Sequence, residues 1–523
     1  MVKSIKMIAL LLMAVVLFGS SAFAQAGRDN DIMKAMKDEL ARSMSKLELG
    51  TLKKPYYISY TLADVNFLQV KSSLGAIVNS QQKPGVDISV EVRVGDYSRD
   101  NTNYVDIGSM FDFSMFSDAV SPLDKDYMGI RRALWLSTDS KYKYAAEVFE
   151  SKLSALKQQN MTPEDSALAD YIKMKPVKKI LPETKINIDK DKWEKFSKQV
   201  SAIFTGYKDI QSSSVSVYVY NASVYFTNSE GTETRVPVSL AAVRINAMAQ
   251  AEDGEPLNDH LLYYGVTPDD LPAIEKISAE VKDMAESMNK LRSAPGFEDN
   301  YSGPILFEGQ AAMEVYAQKF LAGGTGLIST RKPVYSDTRA AMGLSQMMGE
   351  SLDEKMDKKV VSENMTVKAR PKLKKFGQTN LIGSYEIDAE GVLPPDEVML
   401  VEKGILKTML SDRVPTKKVG ESNGHSRFVI SGQGIQSSVG PGVIEIDYKN
   451  PVKSSELKKQ LIEAAKEEGL DYAIIVKKIT TTNSGIDQKF DPAAIASLVT
   501  SSDKNAPLTK PIYVYKVNLK DGS

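Results

Sequence analysis

Two hydrophobic periods alternate along the chain. Between residues 30 and 48, Ile32, Met33, Met36, Leu40, Met44 and Leu47 recur mostly every three or four positions, which predicts an amphipathic helix. The period then drops to two. Ile88, Val90, Val92 and Val94 alternate with Ser89, Glu91 and Arg93, the pattern of a half-buried strand. Tyr56–Leu62 and Asn66–Lys71 read as two further, separate strands. Residues 100–125 show little periodicity and read as a loop. Helical spacing returns at Tyr142, Ala146, Phe149, Leu153 and Leu156, and again at Trp193, Phe196, Val200 and Ile203, with a Lys- and Pro-rich connector between (Lys173 to Pro182).

A second strand cluster is predicted at Val215–Tyr220, Val224–Thr227 and Thr234–Met248. Asn228-Ser229-Glu230-Gly231 has the composition of a hairpin turn. The most sustained helical face is Ile274, Ile277, Val281, Met284, Met288 and Leu291, with Thr267 or Asp270 as its cap. Ser293-Ala294-Pro295-Gly296 ends it and marks an expected domain boundary. Beyond it, Gly303–Leu306 reads as a short strand and Glu308 to about Leu321 as a helix. Residues 360–450 are Gly-rich and strand-like, 454–468 form a helix with Ser454 as cap, and Tyr472–Ile479 and Ile512–Leu519 are strands. Strand runs mixed with helices, without regular alternation, predict an α+β fold rather than a doubly wound parallel sheet. The expectation is two domains, 25–295 and 296–523, with antiparallel-rich sheets and a strand-rich second domain.

Composition narrows the chemistry. The 523 residues include 66 Lys+Arg, 67 Asp+Glu, 2 His and no Cys. A net charge of −1 does not supply the basic face that nucleic acid takes. Without Cys there is no thiol nucleophile, iron–sulfur cluster or Cys-ligated zinc, and two His do not make a three-His site. Residues 1–24 read as a secretory signal peptide: Lys3 and Lys6, an apolar run from Met7 to Gly19, then Ala22-Phe23-Ala24. The expectation is a periplasmic or secreted protein, cleaved before Gln25, with no membrane span afterwards.

No phosphate-binding GxxxxGK[ST] loop and no GxSxG elbow is present. Gly323-Gly324-Thr325-Gly326 reads as a turn, Lys368 to Lys375 as a solvated basic loop, and Met342–Met356 as packing.

The informative segment is Gly303-Pro304-Ile305-Leu306-Phe307-Glu308-Gly309-Gln310-Ala311-Ala312, a strand running into a helix that opens with a carboxylate. It resembles the TldD/PmbA family, metallopeptidase-like proteins also called modulators of DNA gyrase. Further segments carry the resemblance: Tyr225–Gly231 (YFTNSEG), the acidic turn Asp388–Gly391, Val401–Lys407, and Ser422-Asn423-Gly424-His425-Ser426-Arg427. Pro55–Tyr60, Val92–Asp96 and Leu134-Trp135-Leu136 resemble exported members.

That resemblance implies an H-E-x-x-x-H helix, with His ligands to a metal and a Glu base. The matching positions here are Phe307, Glu308 and Ala312. Only Glu308 survives, which corresponds to the family branch that lacks the metal site and pairs with a metal-bearing chain. Glu308 is therefore either a vestigial catalytic base or a helix N-terminal carboxylate favoured by the macrodipole. Asn423, Gly424, His425 and Arg427 are expected to line a substrate cleft, although His425 in a tight turn can equally serve a local hydrogen bond. His260 is expected near a surface turn. No metal or other cofactor is expected. The partners implied are peptide or unfolded protein, and a hetero-oligomer with a metal-bearing TldD-like chain. The rival reading is an active metallopeptidase with unconventional or partner-supplied ligands.

Overall fold

A computed structural model describes residues 31–106, 125–159, 167–296, 301–321, 326–337, 352–431, 434–481 and 508–522. Residues 1–24, expected to be a signal peptide, the Gly323-Gly324-Thr325 run, most of the loop at 100–125 and most of the Met-rich segment lie outside these residues. The architecture is α+β, as the mixed periodicities predict.

One six-stranded sheet dominates the first half. Pro55–Ser73 pairs antiparallel with Ala76–Val94 on one side and with Ile210–Asn228 on the other. Ile210–Asn228 pairs with Glu233–Gln250, which also pairs with Pro256–Gly265 and, in parallel, with Lys178–Ile180. Two expectations are corrected. Tyr56–Leu62 and Asn66–Lys71 belong to one 19-residue strand, and so do Val215–Tyr220 and Val224–Thr227. In each case polar residues interrupt the apolar alternation while the ladder of backbone pairs runs on.

Successive side chains on a strand face opposite ways, so the sheet has two distinct faces. On one face, Ile58, Tyr60 and Leu62 pack with Ile32 and Met36 of helix 31–46 and with Leu134, Tyr142 and Phe149 of helix Tyr127–Gln158. Further along the same face, Leu68, Val70, Val215, Val217 and Val219 pack with Trp193 and Val200 of helix Lys190–Ala202 and with Ile277, Val281 and Met288 of helix Ile274–Leu291. The other face carries Ala63, Val65, Ala222, Val224 and Val236, which bury against Ile387, Phe428 and Ile435 from the second half. The sheet is thus sandwiched between helices and the rest of the chain.

The second half holds smaller sheets. Met365–Ala369 pairs with Val398–Glu402 and Ile444–Tyr448. Ser426–Ser431 and Gly434–Val439 form a hairpin. Tyr472–Ile479 pairs with Pro511–Asn518 and, in parallel, with Ile305–Phe307. Caps differ from expectation in detail. Thr267 and Asp270 close a capping box on the short turn Pro268–Asp270, ahead of the long helix. Lys453 rather than Ser454 precedes helix Ser454–Glu467, with no side-chain cap bond. Among the described residues no helix is long and apolar enough to cross a membrane.

Candidate functional site

Three of the sequence signatures converge on one seam between the sheet and the second half. The hairpin turn after Ile210–Asn228 is set by Asn228, whose Oδ1 accepts from the backbone N–H groups of Glu230 (3.1 Å) and Thr232 (3.0 Å). This aims Glu230 across the seam. Its Oε1 accepts from the Tyr97 hydroxyl (2.7 Å) and from Arg413 Nη2 (2.6 Å).

Arg413 is fully buried. It donates through Nε and Nη2 to the carbonyl of Ile172, at 2.9 and 2.7 Å. Its guanidinium carbon lies 4.0 Å from the Tyr171 ring centroid, and that of Arg93 lies 3.5 Å from the same ring. Two cations that close to one ring must occupy opposite faces, and each gains from the ring's quadrupole.

The acidic turn completes the seam. Asp388 Oδ1 accepts from the N–H groups of Glu390 (2.9 Å) and Val392 (2.7 Å), and its Oδ2 from that of Ser426 (3.2 Å). Glu390 accepts from the Tyr171 hydroxyl (3.1 Å) and the Arg413 N–H (3.1 Å). Gly391 adopts φ +82°, and a Cβ there would stand 2.6 Å from Thr232 Cγ2. Only glycine lets this turn approach the sheet so closely. Burial pushes Asp388 up to about 7; burial, with the neighbouring Asp412 and Asp388 charges, raises Glu390; burial also raises Asp412.

The 423–427 loop lies beneath this turn. Asn423 Nδ2 donates to the Met409 carbonyl (2.7 Å), and its Oδ1 accepts from the Ser411 N–H (2.9 Å). That orientation makes Oδ1 an acceptor, so the proton between it and His425 Nδ1 (2.9 Å) belongs to the imidazole. Nε2 then carries a bare lone pair, and it is buried without a partner. Burial lowers the His425 pKa to about 4. Gly424, at φ +73°, packs against Pro394, and its carbonyl accepts from the Tyr385 hydroxyl. The Arg427 guanidinium stacks 3.6 Å from the Tyr385 ring centroid.

The junction around residue 308 has a different character. Ile305–Phe307 is hydrogen-bonded alongside Ile474–Val476, and the Glu308 N–H extends the ladder to the Val476 carbonyl (2.9 Å). Gly309, at φ +55°, then caps helix Gln310–Phe320. The helix therefore begins two residues later than expected, because a left-handed glycine separates it from the strand. Glu308 sits before the first turn, half-buried, and its carboxylate has no ion pair or hydrogen bond among the described residues. Gln310 exchanges two bonds with the Ile479 backbone, at 3.1 and 3.0 Å, and fixes the helix to the sheet. Phe307 packs into a small apolar cluster with Ala311, Ile474, Val476 and Ile479.

His260 lies elsewhere again, on strand Pro256–Gly265. Burial and then Lys478 lower its pKa to about 4. The adjacent Asp259 pairs with Lys478 (2.6 Å) and accepts from the Tyr513 hydroxyl (2.6 Å). The described residues contain no group of three His, Asp or Glu side chains arranged to hold a metal, so His260, His425 and Glu308 do not form one.

The class this defines is an α+β, two-faced sheet protein whose signature turns lock its parts together. Residues 333–485 match the family model for the PmbA/TldA metallopeptidase C-terminal domain. That match supports, over residues 333–485, the resemblance carried by the sequence motifs. A curated protein named metalloprotease, from Methanothermobacter thermautotrophicus, is 37% identical over 91 residues; these are 17% of this chain and 18% of that protein. A solved structure from Bacteroides thetaiotaomicron, described as a modulator of DNA gyrase, superposes with a TM-score of 0.52 at 13% identity, over 93% of this chain and 90% of that one. This is a likeness of fold. TldE from Thermococcus kodakarensis gives a TM-score of 0.49 at 14% identity, over 86% and 83%.

The metal that the family implies does not fit the matching positions. Phe307 and Ala312 have no donor atom, and the Phe307 ring is taken up in apolar packing. Arg413 and Tyr171, which organise the seam, were not singled out from the sequence. The one signal was the Asp412-Arg413 charge pair following the apolar Met409-Leu410.

Proposed function

We propose that this chain is an exported, metal-free member of its family that binds peptide or unfolded protein without cleaving it, alone or with a metal-bearing TldD-like chain. The observation that carries the reading is Phe307, an apolar ring at a position where the family resemblance calls for a ligand, packed against Ile474 and Val476. The Lys3/Lys6 and Ala22-Phe23-Ala24 pattern supports export. In this reading the 423–427 loop borders the recognition surface, with Arg427 as its charged group and His425 held beneath it.

The test is reconstitution. Purified chain is mixed with a metal-bearing TldD-like chain from the same source, and co-elution and peptide cleavage are measured against each chain alone. Cleavage that needs both chains supports the reading. Cleavage by this chain alone favours the active-peptidase alternative. That alternative draws on the carboxyls of Asp388, Glu390 and Asp412, which burial holds above the usual carboxylate range.

A further inference from the structure

The helix-covered face of the large sheet changes character in the middle. Along Pro55–Ser73 this face reads Ile58, Tyr60, Leu62, then Asp64, Asn66, then Leu68, Val70. Along Ile210–Asn228 it reads Val215, Val217, Val219, then Asn221, Ser223, then Tyr225. The two interruptions are in register: Asn66 stands opposite Asn221, and Asp64 opposite Ser223. A polar band therefore crosses the sheet between two apolar fields. Each field is covered by its own pair of helices.

A cavity of about 520 Å³ opens over this band. Its floor is Asp64, Asn66, Asn221 and Ser223, joined by Gln82 and Pro84 from the neighbouring strand. Lys125, just before the Tyr127–Gln158 helix, ion-pairs with Asp64, and Glu183 accepts from the Ser223 hydroxyl at 2.9 Å. These contacts fix the walls. The carboxamides of Asn66, Gln82 and Asn221, in contrast, have no hydrogen-bond partner within the described protein. Three carboxamides on three adjacent strands, each offering a donor and an acceptor, are left facing one cavity of ligand-binding size.

We propose that this polar band is a binding site for a short peptide segment, whose backbone amides pair with the side-chain amides of Asn66, Asn221 and Gln82. A carboxamide presents one N–H and one C=O in a plane, the complement of a peptide group. No aromatic ring lines the cavity to take the apolar face of a sugar. The choice of peptide rests on the reading under Proposed function; the place is new, on the face opposite the 423–427 loop.

The test is equilibrium dialysis of the full chain against a random tetrapeptide library, N-acetylated and C-amidated, with retained peptide measured by mass spectrometry. Asn66→Ala/Asn221→Ala is expected to lower retention about tenfold or more, the loss of two hydrogen-bond partners. Gln82→Ala, at an exposed position that does not threaten folding, is expected to lower it about threefold. An Arg427→Ala variant is expected to retain peptide at this site. Retention by wild type that neither carboxamide variant reduces overturns the site and leaves the peptide-binding reading standing. A wild-type chain that retains no peptide overturns that reading and, with it, this ligand. Retention of maltotriose that the same variants abolish overturns the ligand class.

Discussion

The seam around Arg413 and the junction around Phe307 both carry the family resemblance, and they are built in opposite ways. At the seam, charged and polar side chains from distant parts of the chain satisfy one another in a buried setting. Glu230, Arg413, Glu390 and Asp388 reach across from the sheet turn to the acidic turn. At the junction, a strand and helix end meet through an apolar ring and a backbone-pairing Gln310, while the Glu308 carboxylate has no partner among the described residues. A buried polar network constrains geometry, since each missing partner leaves a desolvated group behind. An apolar position tolerates another apolar side chain as long as volume is kept. The turns at the seam thus hold the architecture, whereas Phe307, where the resemblance calls for a metal ligand, is packed among apolar side chains.

Removing Arg413 is the strongest way to break this contrast. Arg413→Ala leaves the Glu230 carboxylate and the Ile172 carbonyl without their buried cation, and about 3–5 kcal/mol of stability is expected to be lost in denaturant unfolding. A loss below 1 kcal/mol would mean that the seam does not hold the halves.

Acid titration probes the same region through His425. Folded, it binds a proton only near pH 4, while its unfolded value is 6.5. Between these values the unfolded chain holds more protons, so this contribution is present above pH 6.5 and is lost as pH falls through the window toward 4. Asp388 acts in the opposite sense. Raised from 3.8 to about 7, it contributes below 3.8 and loses that contribution as pH rises through 7. The difference between wild type and His425→Gln isolates the histidine, and is expected to change by about 3 kcal/mol across the window. A difference that does not vary with pH would show that the ring is not held neutral.

Gly391→Ala comes next. The left-handed backbone and the 2.6 Å approach to Thr232 predict a loss of about 1–3 kcal/mol by thermal unfolding. At the junction, Phe307→Leu is expected to cost only about 1 kcal/mol and to leave peptide binding unchanged. Loss of binding on that substitution would make Phe307 more than filler.

The local elements were legible in the sequence because they rest on short-range pattern. The amphipathic helices at 31–46 and Ile274–Leu291 follow from spacing, and the hairpin turn at Asn228–Gly231 and strand Tyr472–Ile479 from local residue types. Sheet continuity was not legible at Asp64–Asn66 or Asn221–Ser223. A period-two reading stops where polar residues face inward, and only the cross-strand partners reveal that the two stops coincide. The seam was half-legible. Asn228–Gly231 and Asp388–Gly391 are visible as turns, but nothing local links Glu230 to an arginine 183 residues away. The helix after Phe307 starts two residues beyond its expected start because Gly309 adopts a left-handed conformation that the residue type permits but does not announce.

In the proposed function, Phe307 and Ala312 offer no donor atom and the chain holds no catalytic metal. The most direct measurement is metal content by elemental analysis of the purified full chain, paired with peptide cleavage with and without added divalent metal, in wild type and Glu308→Gln. The expected result is no stoichiometric transition metal, no metal-stimulated cleavage and no effect of Glu308→Gln. About one zinc or iron per chain, with cleavage that Glu308→Gln abolishes, would contradict it.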